Sequence, residues 1–130
     1  MLVSVTRLRL RSALYLLPFV FHTTRSRRQA ETHSGCLGVT VRKTRGLAFW
    51  TLSAWDSEDS LRSFLAGGPH RQAMPKLFHW CDEAATAHWH TDSSTLPDWD
   101  SAARQLQQSG RLSRVKHPSA AQRQGVIEAV

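Results

Sequence analysis

Residues 50–90 read WTLSAWDSEDSLRSFLAGGPHRQAMPKLFHWCDEAATAHWH, and the periodicities inside this stretch decide the fold. It holds four of the chain's five tryptophans and four of its seven histidines. It opens within a strand, since Leu47–Trp55 is rich in aromatic and β-compatible residues. Phe49, Thr51, Ser53 and Trp55 fall on one face, and Ala48, Trp50, Leu52 and Ala54 on the other. A tryptophan on each face predicts a central strand covered on both sides. Asp56 then reads as an N-cap with Asp59 in the first turn, and a short helix presents Leu61, Phe64 and Leu65 before Gly67-Gly68 stops it. A second helical period runs through Ala73/Met74, Leu77/Phe78 and Cys81, with Pro75 expected in its first turn. The period returns to two at Ala84–His90, the expected last strand.

Working outward, Leu2–Leu10 alternates as LVSVTRLRL and predicts a first strand. Ser12–His33 has a helical period, apolar in its first half and basic in its second, with Pro18 either bending it or marking its start. Cys36–Lys43 is the next strand, joined by the short turn Thr44-Arg45-Gly46 to the strand that opens the decisive stretch. Downstream, LPDWDSAARQLQQSG supplies a cap at Asp98, Trp99, and a modest apolar edge of Ala102, Ala103 and Leu106. From Arg111 the chain turns polar and basic, as a tail lying over the domain or flexible does.

The order β-α-β-β-α-β predicts an α+β ferredoxin-like domain over residues 1–95, with a four-stranded antiparallel sheet and helices on one face. Residues 96–130 form a C-terminal helical extension and polar tail. One sheet face would be bare in a single copy, and a strand with Trp on each face disfavours that exposure. A C2 homodimer with sheets face to face is the expected remedy.

The composition fits one folded domain, with 41% hydrophobic residues in 130. Two reduced cysteines, Cys36 and Cys81, fit a cytoplasmic setting better than a disulfide framework. Arg7, Arg9 and Arg11 before the apolar run Ala13–Phe21 imitate a signal peptide, but Pro18 interrupts the run and no small-residue cleavage site follows. The run is also too short to span a bilayer, so no membrane partner is expected. Residues 1–50 carry nine Arg/Lys against Glu31 alone, and residues 51–130 carry eight against nine acids, so the net +7 lies in the first part. Such a basic face attracts anions without selecting one. The RSRR run at 25–28 lacks interleaved aromatics, and no specific nucleic-acid partner is expected.

With SVTRLRLRS at the start, AFWTLSAW in the middle and HRQAMPKLFHWCDEAATAHW after it, the chain resembles an uncharacterised family of the dimeric α+β-barrel superfamily over roughly residues 1–118. That superfamily includes antibiotic-biosynthesis-type monooxygenases, haem-handling barrels and the spheroidene monooxygenase group. The resemblance implies a cavity between the sheet and its two helices, here the 12–33 helix, the 47–55 strand and the 69–83 helix, with His70 where such barrels often carry a histidine. It implies a small monooxygenase-like oxidoreductase acting on an apolar aromatic or polyene substrate, or a barrel that binds such a molecule without turning it over. The sequence shows no flavin motif and no proximal-haem pattern, so no cofactor is expected.

The residues themselves nominate a short set. His70 follows Gly67-Gly68-Pro69, at the mouth of a turn, where an imidazole handles protons near neutral pH or merely caps the turn. Arg71 beside it suits a carboxylate or phenolate, or is solvated. His88 and His90 form H-x-H on one strand face; two ligands do not complete a metal site, and none is expected. His70 and His88 are therefore the candidate catalytic residues, with Arg71, Trp55, Trp80 and Met74 as candidate substrate contacts. Trp50 and Trp89 read as packing residues, and Cys81 as an inert thiol on the apolar helix stripe. Asp82 and Glu83, adjacent on a helix, would point apart.

Overall fold

Period-two alternation makes Leu2–Leu10 a strand (β1) that the rest of the chain is built around. The computed structural model describes residues 1–130. A 3₁₀ turn at Ala13–Tyr15, capped by Ser12, leads into α1 (Leu16–Thr32); Pro18 lies in its first turn, where no intrahelical N–H is missed. Then come β2 (Cys36–Lys43), β3 (Ala48–Trp55), α2 (Glu58–Leu65), α3 (Gly68–Trp80) and β4 (Cys81–His90). The chain closes with α4 (Trp99–Ser109), a two-residue β5 (Arg111–Leu112) and α5 (Ala120–Arg123). No residue separates α3 from β4.

The sheet is antiparallel, ordered β2-β3-β1-β4-β5, so the ferredoxin-like arrangement stands with five strands rather than four. The added strand, β5, pairs with β4 at Ala85 and Thr86. The β2–β3 hairpin turns through Gly46 at φ +64°, a conformation that side chains with a Cβ resist. Three local expectations change. Ser57 rather than Asp56 caps α2, accepting from the Ser60 N–H, while Asp56 accepts from the Ser60 hydroxyl. Pro69, not Pro75, occupies the first turn of α3, and Pro75 is interior. β4 starts at Cys81, three residues early, opposite a register shift between Arg9 and Leu10. That irregularity lets Asp82 and Glu83 converge on Arg9 instead of diverging: Arg9 donates to both Asp82 oxygens at 2.9 and 2.8 Å and lies 3.3 Å from Glu83 Oε2.

The pairing register sorts the side chains into two faces. Leu2, Ser4, Thr6 and Leu8 share a face with Trp55, Ser53, Thr51 and Phe49 and with His90, His88, Thr86 and Ala84. Helices α1, α2 and α3 pack here, through Phe19, Ala30, Leu61, Phe64 and Leu77. Val3, Val5, Trp50, Leu52, Ala85 and Ala87 form the opposite face, and it is not bare. Ala102 and Leu106 of α4 bury against it completely, with Leu96, Trp99, Leu112 and Ile127 around them. The chain thus covers its second sheet face with its own C-terminal segment, and the bare surface that motivated a face-to-face dimer is absent.

Polar groups fasten that cover. The buried Arg7 guanidinium pairs with Glu83 at 2.8 Å and donates twice to the Val130 main-chain oxygen, at 3.0 and 2.8 Å. Ser119 donates to Glu83 Oε2 at 2.7 Å. Buried Gln122 accepts from the Ala84 N–H and donates to Ser113 O at 2.7 Å. At the far edge the Arg42 guanidinium lies between Trp50 and Trp99, 5.2 and 4.7 Å from their rings.

Candidate functional site

The helix-side face is divided in three. At one end Leu2, Ala30, Trp55, Leu61 and Phe64 form an apolar cluster, and at the other Leu10, Phe19, Cys81, Ala84 and Val115 form a second, bordered by Phe49, Leu77 and Trp80. Between them the sheet presents Ser4, Thr6, Thr51, Ser53, Thr86 and His88, all small or polar. Helical spacing from Phe19 to Ala30, both buried, places Thr23 and Ser26 on the α1 side facing this tier. Ser4 and Ser53 are buried and Thr6 and Thr86 half-buried. Thr51 stays exposed although its strand has a neighbour on each side. The middle of this face is therefore polar, and solvent reaches it at Thr51; we call it the slot.

Its hydroxyls are partly ordered. Thr86 donates to Val5 O at 3.1 Å and lies 3.3 Å from the Thr6 hydroxyl. Ser53 accepts the Trp55 indole N–H at 2.9 Å. His88 stands on this face opposite Ser4 and is exposed. Partial burial lowers its pKa, the Arg111 charge adds to that, and Glu58 opposes both. A lowered pKa favours the neutral imidazole, the form that accepts a proton. His90, on the same face, approaches Glu58 of α2 at 3.4 Å, and no group of three or more His, Cys, Asp or Glu side chains assembles as a metal site.

His70 occupies the first turn of α3, at the α2–α3 corner. Its ring lies 4.8 Å from Phe64, which stacks on Trp55. Its Nδ1 is buried without a hydrogen-bond partner, and burial lowers its pKa while the Leu65 carbonyl pulls the other way. Gln29 of α1 fixes this corner: it accepts the His70 N–H at 2.8 Å and donates to Phe64 O and Gly67 O at 3.1 and 2.8 Å. Gly68, at φ +60°, leaves the room that Gln29 fills, since a Cβ there would sit 3.2 Å from its amide. Gln29 was not a sequence candidate; one polar residue among many in the second half of α1 gives no hint that it meets a turn about forty residues on.

The remaining candidates scatter. Trp55 has 0% exposure and belongs to the core, so it offers no surface to a substrate in this conformation. Trp80 is half-buried, stacked on Tyr15 with ring centroids 6.1 Å apart and 5.7 Å from the His22 ring. Met74 is exposed on α3, and exposed Arg71 donates to Ala66 O at 3.3 Å, closing the end of α2. Cys81 is fully buried, its thiol pushed up to about 12 by burial and by Asp82, and is unreactive. An open depression of about 410 Å³ between α1 and α3 is lined by Arg25, Arg28, Gln29, Thr32 and Pro69. Four of its five lining residues are polar or charged, and none of the candidate site residues lines it.

The chain has a ferredoxin-like α+β fold, and solved structures share it. A proposed antibiotic biosynthesis monooxygenase from Deinococcus radiodurans is 19% identical, with a TM-score of 0.65 over 72% of this chain and 94% of its own. A conserved protein from Methanosarcina mazei is 15% identical, TM-score 0.63, over 70% and 92%. SnoaB, a cofactor-independent oxygenase from Streptomyces nogalater, is 20% identical, TM-score 0.55, over 75% and 97%. At these identities the likeness is one of fold. No curated protein matches the chain significantly. Residues 18–114 match the family described as a domain of unknown function (DUF3291), and the chain belongs to that family.

Proposed function

We propose that the slot on the helix side of the sheet binds a flat, apolar small molecule bearing hydroxyl or keto groups, and that the protein is a monooxygenase-like oxidoreductase of the cofactor-independent kind. One observation carries the reading. Hydroxyl side chains interrupt an apolar sheet face in its middle, and Thr51 remains solvent-accessible on an interior strand. A purely structural layer places aliphatic residues there, as the opposite face does with Val5 and Leu52. The half-buried Phe49 and Leu77, which border the second cluster, would hold ring edges, and Thr6, Thr51 and Thr86 would orient the oxygens.

His88, neutral and on the slot face, is the proposed proton acceptor. Deprotonating an activated ring CH₂ gives a carbanion that dioxygen attacks; one oxygen atom ends as the new carbonyl and the other leaves as water. Such a substrate supplies its own electrons, so no residue of this chain acts as a redox centre. His70 is proposed to act from the α2–α3 corner as a second proton-handling group. A non-catalytic binding role is the second reading, favoured by His70 Nδ1 having no hydrogen-bond partner, so no oriented base pair is formed.

The test is titration of the protein with hydroxylated anthracenes and anthrones, followed by tryptophan fluorescence and oxygen uptake. Binding with oxygen uptake that falls at least about 100-fold in His88→Ala, with binding retained, is the expected result. Binding without uptake selects the second reading. Failure of every such ligand to bind, or binding unaffected by Thr51→Trp, overturns the slot.

A further inference from the structure

The side of the 3₁₀ turn and α1 facing away from the sheet carries an unusual surface. Leu14, Leu17 and Phe21 are 85%, 83% and 58% exposed, with Val20 beside them. Their spacing of three and four places them on one stripe, so four large apolar side chains within eight residues make one patch rather than scattered exposures.

Cations surround it. Arg11 lies 4.8 Å over the Tyr15 ring and Arg25 5.6 Å over the Phe21 ring. The half-buried Trp80 lies against Tyr15 and His22, which neighbour the stripe in sequence, and the charges of Lys76 and Arg25 reach His22. Arg11, Lys116 and His79 act likewise on His117. Arg11, Arg25, Lys76 and Lys116 take part in no ion pair, and residues 1–30 contain no acidic side chain.

These features select among occupants. A second copy on the stripe would bring two unneutralised cationic rings together, a like-charge contact that opposes association. A nucleic acid would neutralise the cations but leave Leu14 and Leu17 in water. An anionic bilayer surface satisfies both parts, taking apolar side chains at the boundary between headgroups and acyl chains and cations among the phosphates. We infer that this end of the molecule docks on an anionic lipid surface, with Leu14, Leu17 and Phe21 inserted and Arg11, Arg25, Lys76 and Lys116 at headgroup level. No helix is long and apolar enough to cross a membrane. The expectation of no membrane partner rested on spanning length, which surface contact does not require.

Flotation of the full chain with phosphatidylcholine vesicles, with and without phosphatidylglycerol, tests the inference. Retention is expected to be at least about tenfold higher on the phosphatidylglycerol vesicles and to fall with salt. The double variant Leu14→Ser/Leu17→Ser, at positions already exposed, is expected to lose about tenfold or more with an unchanged circular dichroism spectrum. Arg25→Glu/Lys76→Glu is expected to lose the preference for anionic lipid. Leu37→Ser, which removes an exposed leucine from β2, is expected to change nothing. The inference is overturned by absent or lipid-independent retention, or by retention that survives the leucine changes. A dimer in sedimentation that Leu17→Ser dissociates overturns it in favour of a second copy, and tighter retention on DNA than on vesicles overturns it in favour of nucleic acid.

Discussion

The two faces of the sheet are built from the same three long strands and solve opposite problems. On the α4 side, Val3, Val5, Trp50 and Leu52 make an apolar surface covered by Ala102 and Leu106 together with Leu96, Trp99, Leu112 and Ile127, and locked by Arg7, Glu83, Ser119 and Gln122. On the α1–α3 side, apolar residues gather at the two ends and hydroxyls occupy the middle. Along β3 the two sequences interleave: Trp50, Leu52 and Ala54 point one way, and Thr51 and Ser53 the other. A single strand therefore encodes an apolar face and a partly polar one at alternate positions. The resemblance to dimeric barrels implied that a second subunit covers the apolar face; here a segment of the same chain does so.

Removing residues 96–130 should break the comparison most severely. It uncovers Trp50, Leu52, Val3 and Val5 together, and the expected outcome by light scattering is a dimer or aggregate; a soluble monomer would show that α4 is not the required cover. Next in size, Glu83→Ala strands the buried Arg7 guanidinium and is expected to cost about 3–5 kcal/mol in chemical denaturation. Acid should act on the same face. Burial works to raise the Glu83 pKa, but hydrogen bonds from Ser119 and Arg7 and the charges of Arg9 and Arg7 outweigh it, leaving the carboxyl below its ordinary 4.5. Its contribution is fully present above that ordinary value and is lost as pH falls through the lower folded value. Hydrogen exchange below pH 4.5 should thus release amides near Ala84 and Gln122 while those of the Trp55 cluster stay protected. The slot should respond least. Ser53→Ala removes the partner of the Trp55 indole and should cost about 1 kcal/mol. Thr51→Val, at an exposed position, should change stability by no more than about 0.5 kcal/mol; a larger loss would mean that Thr51 is structural.

Much of this was legible before the structure. The alternation in LVSVTRLRL and AFWTLSAW gave the strands and their faces, and tryptophans on both sides of β3 required two covers. The second cover was hidden because its apolar edge is thin: Ala102 and Leu106 gain their weight only with Leu96, Trp99, Leu112 and Ile127, which come from other segments. The start of β4 was hidden because Cys81 continues the helical stripe of Met74 and Leu77, and only the irregular pairing opposite Arg9 and Leu10 places it in the sheet. For the candidate site, the doublet Gly67-Gly68 located His70 at a corner. Gln29, which holds that corner, is reached only through tertiary structure, and the hydroxyl tier appears only when three strands are laid in register.

The junction between α3 and β4 also governs which parts can move. Because the helix passes into the strand at Trp80 and Cys81 with no intervening residue, any rotation of α3 pulls on a strand paired along its length with β1. Helix α1 is tethered differently, with Arg11 and Ser12 before its 3₁₀ turn and His33–Gly35 after it. In the proposed binding role α1, joined to the sheet through short linkers and tied to the α2–α3 corner by Gln29, is the element whose displacement would widen the slot, and it also carries the leucine stripe.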